Sequence, residues 1–131
     1  MILLDTHIWI WWVNGSLNEK LTSVLTDCYE SEGLAISIIS CWEVAKLLEY
    51  NRLELCCSVS HWLQKAMIRP NFYPLEINVP VIIESTQLPQ PFHRDPADQL
   101  IVATARIHNL SLCTVDQKIL NYPHVKTINP V

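Results

Sequence analysis

The sequence predicts an α/β fold, a three-layer α/β/α sandwich with a central parallel β-sheet. Short apolar runs that resemble strands alternate with longer amphipathic runs that resemble helices, and this alternation is typical of parallel sheets covered on both faces. Half of the 131 residues are hydrophobic, so the chain can bury a substantial core. A chain of this length without repeats or linkers is expected to form one domain, residues 1–131.

The first quarter of the chain predicts two strands and two helices. Residues 2–4 are consecutively apolar and predict a buried strand, and the tryptophan-rich residues 8–12 predict a short helix before an Asn-Gly turn. The tryptophans are expected to pack in the core or in a dimer interface, with base stacking as the alternative. Residues 19–30 carry apolar side chains at helical spacing. Gly33 ends that helix, and residues 34–37 predict the second strand.

The middle of the chain predicts three helices around one strand. Residues 40–50 begin with an S-x-x-E capping box and continue an apolar helical face. Residues 59–68 predict a helix that an Arg-Pro pair closes. Residues 72–75 predict a third strand, and residues 79–87 predict a helix with a proline in its first turn, where proline is tolerated.

The last third of the chain predicts two further strands. Residues 96–108 predict a long helix that starts at an Asp-Pro pair. Residues 111–115 predict a buried strand and residues 116–120 a short helix. Residues 125–128 predict an edge strand, and Pro130 is expected to end it.

Four acidic residues lie where an apolar strand is expected to pass into a helix. They are Asp5, Glu43, Asp98 and Asp116. Ligands of parallel sheets bind outside the carboxyl ends of the strands, so junctions at one edge would bring four carboxylates into one pocket. Like charges at close range repel one another and raise each other's pKa, and a divalent cation relieves that repulsion. Because hard Mg²⁺ and Mn²⁺ prefer oxygen ligands, the sequence predicts a metal site.

Three of these acids also have a local explanation at a helix start. Glu43 is the last residue of the capping box. Asp98 is the third helical position after a capping Asp95, where the helix dipole favours negative charge. Asp116 can cap the helix that it begins. The first acid is not explained in this way, because it ends a strand and the threonine after it is an adequate cap. Capping does not require all four acids to follow neighbouring strands, whereas a metal site does.

Other features of the sequence exclude several classes of protein. The net charge of −4 is not that of a general nucleic-acid binder. The five cysteines form no C-x-x-C pair and are expected to be reduced thiols that pack as small hydrophobes. The five histidines show no H-x-x-x-H spacing and are expected in core or surface roles. There is no G-x-S-x-G, no glycine-rich phosphate loop, no apolar run long enough for a membrane helix and no basic leader, so a cytoplasmic protein is expected.

Four stretches of the sequence together resemble the PIN domain, the small metal-dependent ribonuclease fold of the toxin half of VapBC toxin–antitoxin modules. They are L-L-D-T-H at 3–7 with W-W at 11–12, S-I-I-S-C-W-E-V-A-K at 37–46, P-F-H-R-D-P-A-D-Q-L-I-V-A-T-A at 91–105, and L-C-T-V-D at 112–116. The resemblance spans nearly the whole chain. Where family members often carry a glycine before R-L, this chain has Asn51, which tolerates a left-handed backbone.

The resemblance implies a metal-dependent endoribonuclease and assigns its residues. Asp5 and Asp98 would be direct ligands of Mg²⁺ or Mn²⁺, while Glu43 and Asp116 would hold water or a second ion, so that one ion and two ions both stay open. Asp95, Thr6 and Thr114 would be auxiliary groups. The resemblance also implies an RNA substrate, a cognate antitoxin and a homodimer.

Three other classes of protein share part of this acidic pattern. An aspartyl-phosphate phosphatase needs a second aspartate two residues after the first, and His7 occupies that position. A phosphoacceptor receiver domain pairs acids after the first strand, where Asp5 stands alone. A non-catalytic RNA- or protein-binding module with an acidic groove is the remaining alternative, and metal-dependent RNA cleavage separates it from the nuclease.

Overall fold

The computed structural model describes residues 1–129, so Pro130 and its predicted role lie outside the described part of the chain. The elements follow one another in the predicted order. They are β1 (Ile2–Leu4), α1 (Thr6–Asn14), α2 (Glu19–Ser31), β2 (Leu34–Ser37), α3 (Ile39–Glu49), α4 (Val59–Met67), β3 (Phe72–Leu75), α5 (Val79–Thr86), α6 (Pro96–Ile107), β4 (Ser111–Cys113), α7 (Gln117–Leu120) and β5 (Thr127–Ile128).

The strands form one parallel five-stranded sheet in the order β3-β2-β1-β4-β5. Leu4, the last residue of β1, pairs with Ile36 on one side and with Cys113 on the other. The carboxyl ends of the three central strands therefore meet at one edge, as the sequence predicts.

Helices cover both faces of this sheet. Successive strand residues alternate between two hydrophobic cores, because side chains along a strand point to opposite faces. Leu4 and Ile36 pack in the core that α1, α2 and α4 cover, whereas Leu3 and Leu112 pack in the core that α6 and α7 cover. The α/β/α arrangement predicted from the sequence is confirmed.

The limits of two strands and of helix α1 differ by two residues from those predicted, and the limits of the other helices differ by one. The strand expected over residues 111–115 ends at Cys113, and the last strand begins at Thr127 instead of at residue 125. The backbone N–H of Thr114 still reaches the Ile128 carbonyl, at 3.4 Å, but the chain then turns toward α7. Helix α1 begins at Thr6, two residues earlier than expected, because the carboxylate of Asp5 caps it.

The tryptophans of α1 pack against the hydrophobic core. Trp9 is fully buried and packs against Trp62 and Phe72, with ring centroids 5.0 and 6.2 Å away. Trp12 also stacks on Phe72, with ring centroids 6.2 Å apart. Core packing is therefore confirmed for all three tryptophans of α1, because Trp11 and Trp12 are partly buried against the same core, and Trp11 also lines the cleft described below.

The cysteines are all free, as expected. Cys113 is buried, and burial followed by the charge of Asp5 raises the pKa of its thiol to about 12, so that it stays protonated. Cys56 and Cys57 are exposed, so the expectation that all five pack as small hydrophobes is wrong for this pair. No helix among residues 1–129 is both long and apolar enough to cross a membrane.

Gly33 and Asn51 adopt the left-handed backbone that their sequence context suggests. Asn51 has φ 56°, which agrees with the expectation that asparagine replaces a glycine there. Gly33 has φ 97° and is also crowded. A Cβ atom at this position would lie 2.6 Å from the Tyr73 ring and 2.8 Å from the Asn71 carbonyl oxygen.

We expect Gly33→Ala to lower the free energy of unfolding by roughly 2–4 kcal/mol, since it adds backbone strain and a steric overlap. Gly15→Ala is the matched control, because Gly15 also has a positive φ, 72°, but nothing lies within 4 Å of its added Cβ. The control should lose only about 1 kcal/mol. Urea unfolding of the wild type and the two variants measures these losses of stability. Equal losses in both variants would show that the overlap of the added Cβ with Tyr73 of β3 does not destabilise the fold.

Candidate metal centre

The four predicted acids line one cleft of about 410 Å³ at the carboxyl edge of the sheet. The cleft is lined by Asp5, Thr6, His7, Trp11, Glu43, Asp95, Asp98, Val115 and Asp116. Asp5 directly follows β1, and Asp116 follows β4 after two intervening residues. The predicted convergence of carboxylates is therefore present.

Two of the acids do not lie at strand-to-helix junctions. Asp98 is in the first turn of α6, and that helix follows a loop after α5 and not a strand. Glu43 lies in the second turn of α3. Both side chains still line the same cleft as Asp5 and Asp116.

Asp5 is held on both of its oxygens. Oδ1 accepts the backbone N–H of Thr6 at 2.9 Å, and Oδ2 accepts the hydroxyl of Thr114 at 2.6 Å. Asp5 is itself the cap of α1, so the expectation that Thr6 caps this helix is wrong. Burial raises the pKa of Asp5, and the hydrogen bonds from Thr114 and Thr6 act in the opposite direction.

Thr6 contacts two residues of α3. Its Oγ1 donates to Glu43 Oε1 at 2.5 Å and lies 2.9 Å from Ser40 Oγ. Thr6 and Ser40 are both buried. Burial raises the pKa of Glu43, and the hydrogen bond from Thr6 lowers it. Thr6 thus fixes the position of the Glu43 carboxylate relative to β1.

The capping box predicted at Ser40 and Glu43 does not form. Helix α3 begins at Ile39, and no side chain caps it at the preceding residue. Instead the Ile39 N–H donates to Ser37 Oγ at 3.2 Å. Ser40 therefore lies two residues inside the cap position, too far into the helix to bond its free N–H groups, and both Ser40 and Glu43 contact the Thr6 hydroxyl instead.

Asp95 caps helix α6, whereas Asp98 belongs to the cleft. Asp95 Oδ1 accepts the Asp98 N–H at 3.0 Å and caps α6, as predicted. The Asp98 side chain makes no cap and instead lies with its Oδ2 3.1 Å from His93 Nε2.

The pKa of Asp98 reports the electrostatics of the whole cleft. Burial, and then the charges of Asp5, Asp95, Asp116 and Glu43, raises this pKa to about 8. No Lys or Arg among residues 1–129 forms an ion pair with these carboxylates. A cluster of oxygen ligands that disfavours its own ionisation suits a hard divalent cation.

Asp116 both caps helix α7 and lines the cleft. Its Oδ1 accepts the Lys118 N–H at 2.8 Å and caps α7, so the capping prediction is confirmed here. Its own N–H donates to Thr114 Oγ1 at 3.0 Å. Thr114 therefore connects Asp5 and Asp116 through one hydroxyl group.

His93 belongs to the site, although the sequence predicts only core or surface roles for the histidines. Ligand atoms of His93, Asp98 and Asp116 all lie within 4.8 Å of one another. Only the position of His93 five residues before Asp98, in the H-R-D-P-x-D stretch, could have indicated this. No metal-ligand spacing rule covers it, because a loop brings the ring back over the first turn of α6.

We expect Thr114→Val to weaken Mn²⁺ binding by roughly 10–100-fold, the range typical of residues that orient metal ligands. Valine keeps the shape of the fully buried threonine but removes the donor to Asp5 and leaves the Asp116 N–H without its acceptor. The free energy of unfolding should also fall by about 1–3 kcal/mol. Calorimetric titration with Mn²⁺ measures the affinity. Thr114→Ser keeps the hydroxyl and is the control, and equal affinity in the valine variant would contradict the role of this hydrogen bond.

Comparisons with known proteins agree with this geometry. A family model described as the PIN domain matches residues 2–125. Ribonuclease VapC22 of Mycobacterium tuberculosis (strain ATCC 25618 / H37Rv) is 32% identical over 128 residues, which cover 97% of this chain and 95% of that protein. Among solved structures, VapBC2 from Rickettsia felis bound to a promoter DNA fragment is 18% identical, with a TM-score of 0.73 and coverage of 98% of both chains. A toxin–antitoxin complex from Klebsiella pneumoniae is 22% identical, with a TM-score of 0.70 and coverage of 100% of this chain and 98% of that one.

Proposed function

This chain belongs to the PIN domain family, and we propose that it is a metal-dependent endoribonuclease, the toxin of a toxin–antitoxin pair. The convergence of four carboxylates on one cleft carries this proposal. The relative that is 32% identical over almost the whole chain is named as a ribonuclease, and this supports the same reaction here. Hydrolysis of RNA phosphodiester bonds by Mg²⁺ or Mn²⁺ is the chemistry that such a cleft serves best.

The carboxylates divide into ligands and supporting groups. Asp5 and Asp98 would hold the cation, and Glu43 and Asp116 would orient water or a second ion. When bound, the cation supplies an activated water and offsets the negative charge that develops at phosphorus. Asp98, whose pKa lies at about 8 without metal, would release its proton as the cation binds, because a metal and a proton compete for the same oxygen.

A partner protein would reach the cleft along an adjoining groove. Ile8, Leu17 and Leu21 line an apolar groove of about 330 Å³, which shares Trp11 and Val115 with the acidic cleft. An antitoxin that places an apolar segment in this groove could direct a basic side chain at the carboxylates and block them. Cleavage that persists with the antitoxin bound would contradict this mode of inhibition.

We place the protein in the cytoplasm as a homodimer. Helix α5 exposes Val79, Ile82 and Ile83 at helical spacing, with 67%, 48% and 49% of each side chain accessible. An apolar face of this kind is suited to a subunit interface. Light scattering at micromolar concentration should give the mass of a dimer, and a monomer would exclude this assembly.

Metal-dependent cleavage of RNA is the direct test of the proposed function. We expect the purified protein to degrade total RNA in millimolar Mg²⁺ or Mn²⁺ and to be inactive in excess chelator, because the carboxylates alone repel the phosphate backbone. Electrophoresis of the RNA measures the reaction. An RNA-binding module would bind without cleaving, and cleavage that survives the chelator would exclude a metal nuclease.

A further inference from the structure

His93 is a histidine whose ring lies directly against an acid of the cluster, Asp98. It belongs to the loop of residues 87–95, between α5 and α6, and its Nε2 lies 3.1 Å from Asp98 Oδ2. Both side chains are largely buried, at 20% and 16% exposure. The Nε2 atom itself is closed off from solvent and has no hydrogen-bond partner of full geometry among the described residues, although Asp98 Oδ2 lies within hydrogen-bond distance.

The other ring nitrogen determines what Nε2 can do. His93 Nδ1 faces the backbone N–H of Asp95 at 3.5 Å and acts as its acceptor. A nitrogen that accepts carries no proton, so in the neutral ring the hydrogen is on Nε2. In this tautomer Nε2 can donate to a carboxylate but cannot bind a metal ion.

The ring is also fixed relative to α6. The side-chain amide of Gln99 donates to the His93 carbonyl at 3.1 Å and ties the loop to the second turn of the helix. The Phe92 ring packs against the imidazole with centroids 4.4 Å apart. Phe92 in turn packs against Tyr122, at 4.7 Å, so the imidazole is attached to the second hydrophobic core.

We infer that His93 is a positioning residue, whose Nε2 contact with Asp98 Oδ2 keeps that carboxylate turned toward the metal. This inference rests on the proposed metal centre. Within residues 1–129, only Oδ2 of Asp98 has this contact with the imidazole, so one oxygen faces the ring while the other is available to an ion. The carboxylate of Asp5 is likewise fixed by neighbouring groups, since it accepts hydrogen bonds from Thr6 and Thr114.

A near-isosteric pair of substitutions tests this role. His93→Gln keeps an N–H donor near the position of Nε2, whereas His93→Met fills similar space without a donor. We expect the methionine variant to bind Mn²⁺ about 10–100-fold more weakly than the wild type, and the glutamine variant to recover most of that loss. His108→Gln is the control, because His108 is exposed at the end of α6, and it should bind as the wild type does.

Calorimetry with Mn²⁺ on the metal-free proteins measures these affinities without reference to RNA cleavage. Electron spin echo measurements on bound Mn²⁺ should show no directly coordinated nitrogen, and a coordinated imidazole would overturn the inference by making His93 a ligand. Wild-type affinity in the methionine variant, or equal losses in both variants, would also overturn it. A wild-type protein that binds no Mn²⁺ would instead refute the metal centre itself, and the inference with it.

Discussion

Asp98→Asn should reduce RNA cleavage by at least about 100-fold while leaving the metal-free protein as stable as the wild type, or more stable. The two effects have one cause. Asp98 lies in a buried cluster of negative charge that holds its pKa at about 8. Removing the carboxylate removes repulsion from the free protein, and it removes a ligand from the metal-bound protein.

The size of the stability effect of Asp98→Asn depends on pH. The ordinary pKa of the Asp98 side chain is 3.8, and its pKa in the folded protein is about 8. Between these values the unfolded chain has lost the proton while the folded chain keeps it. The stability of the metal-free wild type therefore falls as the pH rises from about 4 to 8. The asparagine variant lacks this loss, so its advantage should grow over the same interval.

A helix cap would behave in the opposite way. If Asp98 only interacted with the dipole of α6, its replacement would cost about 0.3–1 kcal/mol at neutral pH, with or without metal. Melting curves in chelator and in millimolar Mn²⁺ separate these two roles. The variant should also lose most of the stabilisation that Mn²⁺ gives the wild type, since a ligand that binds only the folded state stabilises it by mass action.

Asp27→Asn is the matched control, because Asp27 is an exposed acid of α2 away from the cleft. It should leave cleavage, the metal response and the pH dependence unchanged. If Asp98→Asn melts lower than the wild type in chelator, responds normally to Mn²⁺ and still cleaves RNA, then Asp98 is a cap and not a ligand.

The parts of the fold that the sequence predicted depend on local signals. Residues 34–37 and 72–75 are short apolar runs between turn residues, and both strands form as predicted. The meeting of the carboxyl ends of the strands at one edge follows from parallel connections of the βα type. Asp5 and Asp116 were placed correctly in the cleft for this reason, because each directly follows a central strand or the turn after it.

The parts that the sequence did not predict depend on contacts between distant segments. The S-x-x-E pattern at Ser40 and Glu43 indicates a helix start, but the Thr6 hydroxyl, 37 residues before Glu43, binds both side chains. A local pattern cannot report that competition. His93 was assigned no role in the site because its place beside Asp98 depends on the path of a loop, and loop paths are set by packing, here by Phe92 against Tyr122.

Asp5→Asn should lower the pKa of Asp98 more than any other single removal of charge from the cleft. Burial is the largest cause of the raised Asp98 pKa, and Asp5 is the largest of the charged causes, whereas Glu43 is the smallest. Asparagine keeps the shape of Asp5 and the acceptor for the Thr6 N–H, so the fold should persist while one charge disappears. RNA cleavage should be lost as well, because the variant lacks a proposed ligand of the metal.

The titration of Asp98, followed by carboxyl carbon NMR in the metal-free protein, measures the expected shift. The midpoint should move from about 8 toward the ordinary value of 3.8 in Asp5→Asn, without reaching it, because burial of the carboxyl group remains. Glu43→Gln is the matched control, since it removes an equal charge from the same cleft and should move the midpoint less. The reverse order of the two variants would mean that Glu43, and not Asp5, is the closer electrostatic neighbour of Asp98. An unchanged midpoint in both variants would mean that burial alone raises the pKa, and the cluster would then lack the mutual repulsion from which a metal centre was first inferred.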